Sequence, residues 1–207
     1  MKKNLIQQVV LFIFSIPLIH LHAQQSNSAI QQAFSKSYEY EYTYNYDDAI
    51  KALENVYSEN SYEINLRLGW LYYLKTDHTK SISFYKKALV KNPNSIELKL
   101  MIVNPLSYLG NWNEIISIYE SILKSDDKNY IANYRLGLIW YNRKKSTQAL
   151  TYIKKLQPLY PFDYEINLLA GKINIALGNI VDAKIALQKA LLYNPASIEP
   201  ADLLKGL

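Results

Sequence analysis

Residues 61–95 read SYEINLRLGWLYYLKTDHTKSISFYKKALVKNPNS, and this stretch decides the fold. Ile64, Leu68, Leu71 and Tyr72 share one face of a helix; after a polar break, Ile82, Tyr85 and Leu89 repeat the helical spacing. Gly69 sits where two helices must touch closely, because a side chain there would hold the backbones apart. Pro93 follows the second helix and stops further winding. One such hairpin cannot bury its apolar face alone, so the pattern demands stacked neighbours.

The neighbours are present. Gly69, Gly137 and Gly171 keep a period of 34 residues, with Val103 in the intermediate slot. Pro93, Pro161 and Pro195 keep the same period, with Asp127 in the gap. Ser61, Ser95, Asn129, Asp163 and Ser197 also recur every 34 residues. Each is a type whose side chain accepts a bond from the free N–H groups that open a helix.

On these residues the chain resembles the tetratricopeptide repeat family, whose signature is Trp, Leu-Gly and Tyr in the first helix, then Ala, Phe, Ala and a closing Pro. The first full unit reads Asn65, Leu68-Gly69, Tyr72, Ser81, Tyr85, Ala88, Pro93. The third reads Asn133, Leu136-Gly137, Trp140, Ala149, Ile153, Leu156, Pro161, and the fourth Asn167, Ala170-Gly171, Asn174, Ala183, Leu187, Ala190, Pro195. The second is the most divergent, with Lys99, Ile102-Val103, Leu106, Ile115, Tyr119, Ile122 and Asp127. Asn stands for the signature Trp in three units, so that contact must be remade by other means. The resemblance implies an all-α, right-handed α-solenoid of antiparallel helix pairs. The expected organisation is a signal peptide over 1–23, a linker over 24–28, and a repeat array over 29–195. Its units are a partial first unit at about 29–61, then 62–95, 96–129, 130–163 and 164–197, with a closing helix over 198–207.

The opening MKKNLIQQVVLFIFSIPLIHLHAQQ has two lysines, an apolar stretch from Val9 to Leu21 broken by Pro17, and a small-residue end at Ala23. This pattern predicts a secretory leader cleaved after Ala23, the run being too short for a membrane span. No Cys follows it, which excludes lipid attachment. Localisation is therefore expected in the periplasm or cell envelope, with secretion as the second choice. Losing the leader's two lysines and no acid lowers the formal charge from +5 to +3. No basic stripe remains to favour nucleic acid.

Chemistry has few tools in this chain. With no Cys among 207 residues, disulfides, thiolate metal sites and a cysteine nucleophile are excluded. The three histidines include two in the leader, and no Gly-rich phosphate loop exists. No cofactor and no catalytic set is expected. Glu63, Glu97, Glu165 and Glu199 recur in register, but acids in a first turn complement the helix dipole, and successive copies lie a repeat apart. His78 after Asp77 reads as an exposed polar turn. Pro105 inside a first helix predicts a kink or an early helix end near Asn104.

The resemblance implies that first helices line a concave surface where partners dock. Mapped onto this sequence, the partner-binding candidates are Arg67, Trp70, Tyr73, Asn104, Tyr108, Tyr134, Arg135, Tyr141 and Lys172. Trp, Tyr and Arg are the residue types most enriched at interface hot spots. The expected function is a non-enzymatic scaffold holding a protein or peptide segment, with Arg67 and Arg135 fixing acidic or carbonyl groups. The alternative is a glycan-binding accessory protein using the Tyr-rich segment 37–48, SYEYEYTYNYDD. That segment alternates at period two, yet the repeat frame predicts helix, loop and a new helix, since a lone strand has no pairing partner. Mass measurement of the exported protein should show a chain beginning at Gln24; retention of Lys2 and Lys3 would contradict a cleaved leader.

Overall fold

A computed structural model describes residues 27–207. The leader and most of the proposed linker therefore lie outside the described residues. The chain divides after Leu109 into two compact units. The described residues form helices joined by turns, with no strand among them. The all-α class and the plan of antiparallel helix pairs are as the repeat pattern implies.

In the first unit, α1 covers 27–42, α2 Tyr46–Glu54, α3 Tyr62–Leu74, α4 His78–Lys91 and α5 Ile96–Tyr108. The Tyr-rich segment is thus helix, turn and new helix. Ala33 of α1, Ala49, Ile50 and Leu53 of α2, and Ile64, Leu68, Leu71 and Tyr72 of α3 close one core. In the second unit, α6 is Trp112–Leu123, α7 Tyr130–Asn142, α8 Ser146–Leu156, α9 Tyr164–Ala176, α10 Ile180–Tyr193 and α11 Ile198–Lys205. Ala149, Ile153 and Leu156 of α8 pack with Ile166, Leu169, Ala170 and Ile173 of α9. Leu203 and Leu204 of α11 lie against Leu168, Leu187 and Ala190.

The close approach inferred at the glycines is explicit. A Cβ built on Gly69, Gly137 or Gly171 would lie under 3.0 Å from side-chain carbons of Tyr85, Ile153 or Leu187, respectively. Each of those partners is sixteen residues further on and buried. Four of the five periodic caps also act as such. Ser61, Ser95, Asn129 and Asp163 accept from the backbone N–H of Ile64, Leu98, Ala132 and Ile166 at 2.9–3.2 Å. Ser197 does not; its hydroxyl instead lies 2.7 Å from that of Tyr164. The same link from a first-helix tyrosine to the next cap joins Tyr62 to Ser95 and Tyr130 to Asp163.

The substituted signature position has its own chemistry. Asn65, Asn133 and Asn167 are buried, and each Nδ2 donates to the carbonyl four residues back, on Ser61, Asn129 or Asp163, at 2.6–2.9 Å. The same nitrogen donates to the carbonyl six residues back, on Glu59, Asp127 or Pro161, at 2.9–3.1 Å. A small amide thus pins the incoming loop to the helix it starts. The turns inside the pairs repeat as well: Thr76, Gly110, Lys144 and Gly178, 34 residues apart, all have φ between 61° and 74°. Only the two glycines adopt that left-handed conformation without steric cost.

Two expectations are corrected. Helix α5 does not end near Asn104 but runs through Pro105 to Tyr108, and the N–H of Leu109 donates to the Pro105 carbonyl at 3.3 Å. Burial of Leu98, Ile102, Val103, Pro105 and Leu106 holds the helix against the ~3 kcal/mol that an interior proline costs. His78 is not an exposed turn: it is half-buried and its ring stacks on Tyr108, centroids 4.5 Å apart. Replacing Asn167 by Ala leaves the Pro161 carbonyl without its donor and the Asp163 carbonyl with only the backbone N–H of residue 167, and urea denaturation should show a loss of about 1–3 kcal/mol.

Candidate functional site

The site starts from helix periodicity. On α1, Phe34, Tyr38 and Glu41 are spaced four and three residues apart and share a face; on α3, Glu63, Leu66, Arg67, Trp70 and Leu74 do likewise. Two contiguous grooves are lined by these faces. One, of about 850 Å³, is walled by Tyr38, Glu41, Tyr42, Tyr44, Tyr46, Arg67, Trp70 and Leu74. The other, of about 340 Å³, adds Phe34, Glu63 and Leu66 with Glu97 and Met101 of α5. Tyr38, Arg67 and Trp70 line both.

Arg67 is the centre of this arrangement and is 7% exposed. Its Nε donates to Ser37 Oγ at 3.2 Å, its Nη1 pairs with the Glu41 carboxylate, and its Cζ lies 3.9 Å from the centroid of the Tyr38 ring. The indole Nε1 of Trp70 donates to the other oxygen of Glu41 at 2.8 Å. Nη2 of Arg67 has no hydrogen-bond partner. The guanidinium expected to fix a partner's acidic group is thus largely engaged inside the unit, and its visible effect is to set Trp70 and Tyr38 as fixed walls.

The remaining candidates fall in two places. In the first unit an aromatic row runs from Trp70 to Tyr73 at 5.7 Å, and Tyr73 meets His78 at 5.8 Å and Tyr108 at 6.1 Å. Tyr108 is 68% exposed, and Asn104 is exposed on the same helix. Burial first, then the neighbouring Tyr108, pushes the Tyr73 hydroxyl above the ordinary phenol value. In the second unit Tyr134 stacks on Tyr130 and donates to Glu165 Oε2 at 2.9 Å. Burial and that bond hold its proton far above the usual range. Burial, followed by the bond to Asp163, raises Tyr130 to about 12. Lys172 pairs with Glu199, Tyr141 packs against the α8–α9 core, and Arg135 is exposed.

Sequence reading missed Ser37 and Glu41, which organise Arg67, and Phe34 and Glu97, which line the groove. The face spacing of 34, 38 and 41 on α1 was the available signal; the period-two run of tyrosines masked it. No group of three or more His, Asp or Glu fit to hold a metal occurs among the described residues, and no described helix is long and apolar enough to cross a membrane.

A tetratricopeptide repeat profile matches residues 35–96 and 100–164. The chain belongs to the tetratricopeptide repeat family. Among solved structures, a tetratricopeptide repeat protein from Parabacteroides merdae superposes with a TM-score of 0.73 at 14% identity, over 86% of this chain and 72% of that one. MamA superposes with a TM-score of 0.69 at 19% identity, over 82% and 93%. The BBSome complex member BBS4 of Bos taurus is 22% identical over 185 residues, 72% of this chain and 36% of that protein. Tetratricopeptide repeat protein 21B of Homo sapiens is 29% identical over 133 residues, 60% of this chain and 10% of that protein. The chain thus spans about a third and a tenth of the curated relatives it matches.

Within this family's frame, the polar centre at Arg67 supports the walls of the groove. Glu41→Gln removes the charge that faces a buried guanidinium, and thermal or urea unfolding should record a loss of about 2 kcal/mol, within the range for bonds to charged groups. An unchanged midpoint would mean that Glu41 contributes nothing to holding Arg67.

Proposed function

We propose that the protein is a non-enzymatic interaction scaffold of the periplasm or cell envelope that holds a protein or peptide segment in the groove lined by α1, α3 and α5. The observation that carries this reading is the fixed aromatic wall formed by Trp70 and Tyr38 around the Arg67–Glu41 pair. Aromatic side chains held in place before binding bury a large area at low entropy cost, which is what distinguishes an interface anchor from a loose surface ring. The sequence likeness to a protein named as a BBSome complex member agrees with assembly work, and the leader supports the compartment.

A second reading, glycan binding, rests on Tyr42 and Tyr44, which are 88% and 79% exposed at the rim of the larger groove. Their rings are free to stack on the apolar face of a sugar.

Capture from an envelope extract, followed by titration of the purified captured protein, separates the readings. Trp70→Ala should weaken binding at least tenfold, about 1.4 kcal/mol, as removal of a central aromatic anchor does. An affinity unchanged in that variant places the working surface elsewhere. Binding of free oligosaccharides that is lost in Tyr42→Ala would instead support the glycan reading.

A further inference from the structure

The first-turn glutamates do not share one fate. In the second unit Glu165 accepts from Tyr134 and Glu199 pairs with Lys172, each a side chain from the preceding first helix. In the first unit Glu63 accepts from its own cap, Ser61, at 3.0 Å, and Glu97 has no side-chain partner among the described residues. Both are exposed and both line the smaller groove, whose apolar surface comes from Phe34, Leu66 and Met101. The one cation in that lining, Arg67, is already paired with Glu41. Helix-dipole stabilisation explains acids at all four positions, but not why two of them face an apolar slot while the other two are bonded to the preceding first helix.

We propose that this slot binds a segment of a partner protein carrying a lysine or arginine beside an apolar residue. The cationic group sits between Glu63 and Glu97, and the aliphatic stem and its apolar neighbour lie on Leu66 and Met101 against Trp70. This inference rests on the scaffold reading and specifies its partner's chemistry. It reverses the sign expected when Arg67 was assigned to acidic groups: with the guanidinium neutralised by Glu41, Glu63 and Glu97 leave the slot negative. At about 340 Å³ the slot lies near the lower end of ligand-sized pockets, roughly 300–1,000 Å³, which suits one or two side chains of an extended segment. Long cationic side chains fit such a place because the stem covers apolar surface while the head keeps its counter-charge.

The test uses the full chain and three fluorescent peptides of equal length, blocked at both ends, in which leucine alternates with lysine, glutamine or glutamate. Anisotropy titrations should give the lysine peptide about a tenfold advantage over the glutamine one, the size expected for two partly exposed ion pairs, and still weaker binding of the glutamate one. The advantage should shrink with added salt and vanish in a Glu63→Gln, Glu97→Gln double variant, whose folding is checked by circular dichroism. Equal binding of the lysine and glutamine peptides, or preference for glutamate, with Trp70→Ala still weakening all binding, overturns the cation assignment and leaves the scaffold reading intact. Peptide binding indifferent to Trp70→Ala overturns the scaffold reading at this groove and the inference with it.

Discussion

Everything in this fold depends on how closely the two helices of a pair approach. Gly69, Gly137 and Gly171 leave space that the buried side chains of Tyr85, Ile153 and Leu187 fill directly. That contact fixes the separation within a pair, and the separation decides which residues of the first helix turn away from it. Leu68, Leu71 and Tyr72 go into the core, and Leu66, Trp70 and Leu74 turn to the groove. The groove is therefore a by-product of the packing rule: the residues that cannot reach the second helix are the ones left to meet something else.

Polar side chains supply the registration that apolar packing lacks. Caps at Ser61, Ser95, Asn129 and Asp163 mark where first helices begin, and the tyrosines that follow three of them, Tyr62, Tyr130 and Tyr164, reach the next cap within each unit. Tyr134 and Lys172 make analogous links to Glu165 and Glu199. Buried phenols pay for their position with a strong preference for the neutral form, most visibly at Tyr85, Tyr130 and Tyr134, where burial leads the rise.

The architecture was legible in the sequence because its determinants are local and repeated: a glycine, a cap and a proline at fixed intervals each act within a few residues of themselves. The site was only half legible. Trp70, Arg67 and Tyr73 follow from helix faces, but the state of Arg67 depends on Ser37 and Glu41, thirty and twenty-six residues earlier, and the face spacing on α1 that includes Glu41 does not say which side chain of another helix it meets. The helix end expected near Asn104 does not occur, for the converse reason: the penalty at Pro105 is local, while the buried face of α5 outweighs it. The tyrosine run from 38 to 46 illustrates a third case, in which a two-residue alternation is accidental and the helix is imposed by Ala33 and its partners in the core.

The amide pins at Asn65, Asn133 and Asn167 have a consequence for how this chain can change. Each amide measures the path from two residues before the cap to the cap itself, since one nitrogen donates to both carbonyls at once. An inserted or deleted residue in that short span breaks the pair of bonds, whereas a bulky apolar side chain in the same place would tolerate the slip. Drift in spacer length is thereby penalised at three joints, and variation is steered toward the groove-facing side chains, where recognition can alter without disturbing the frame.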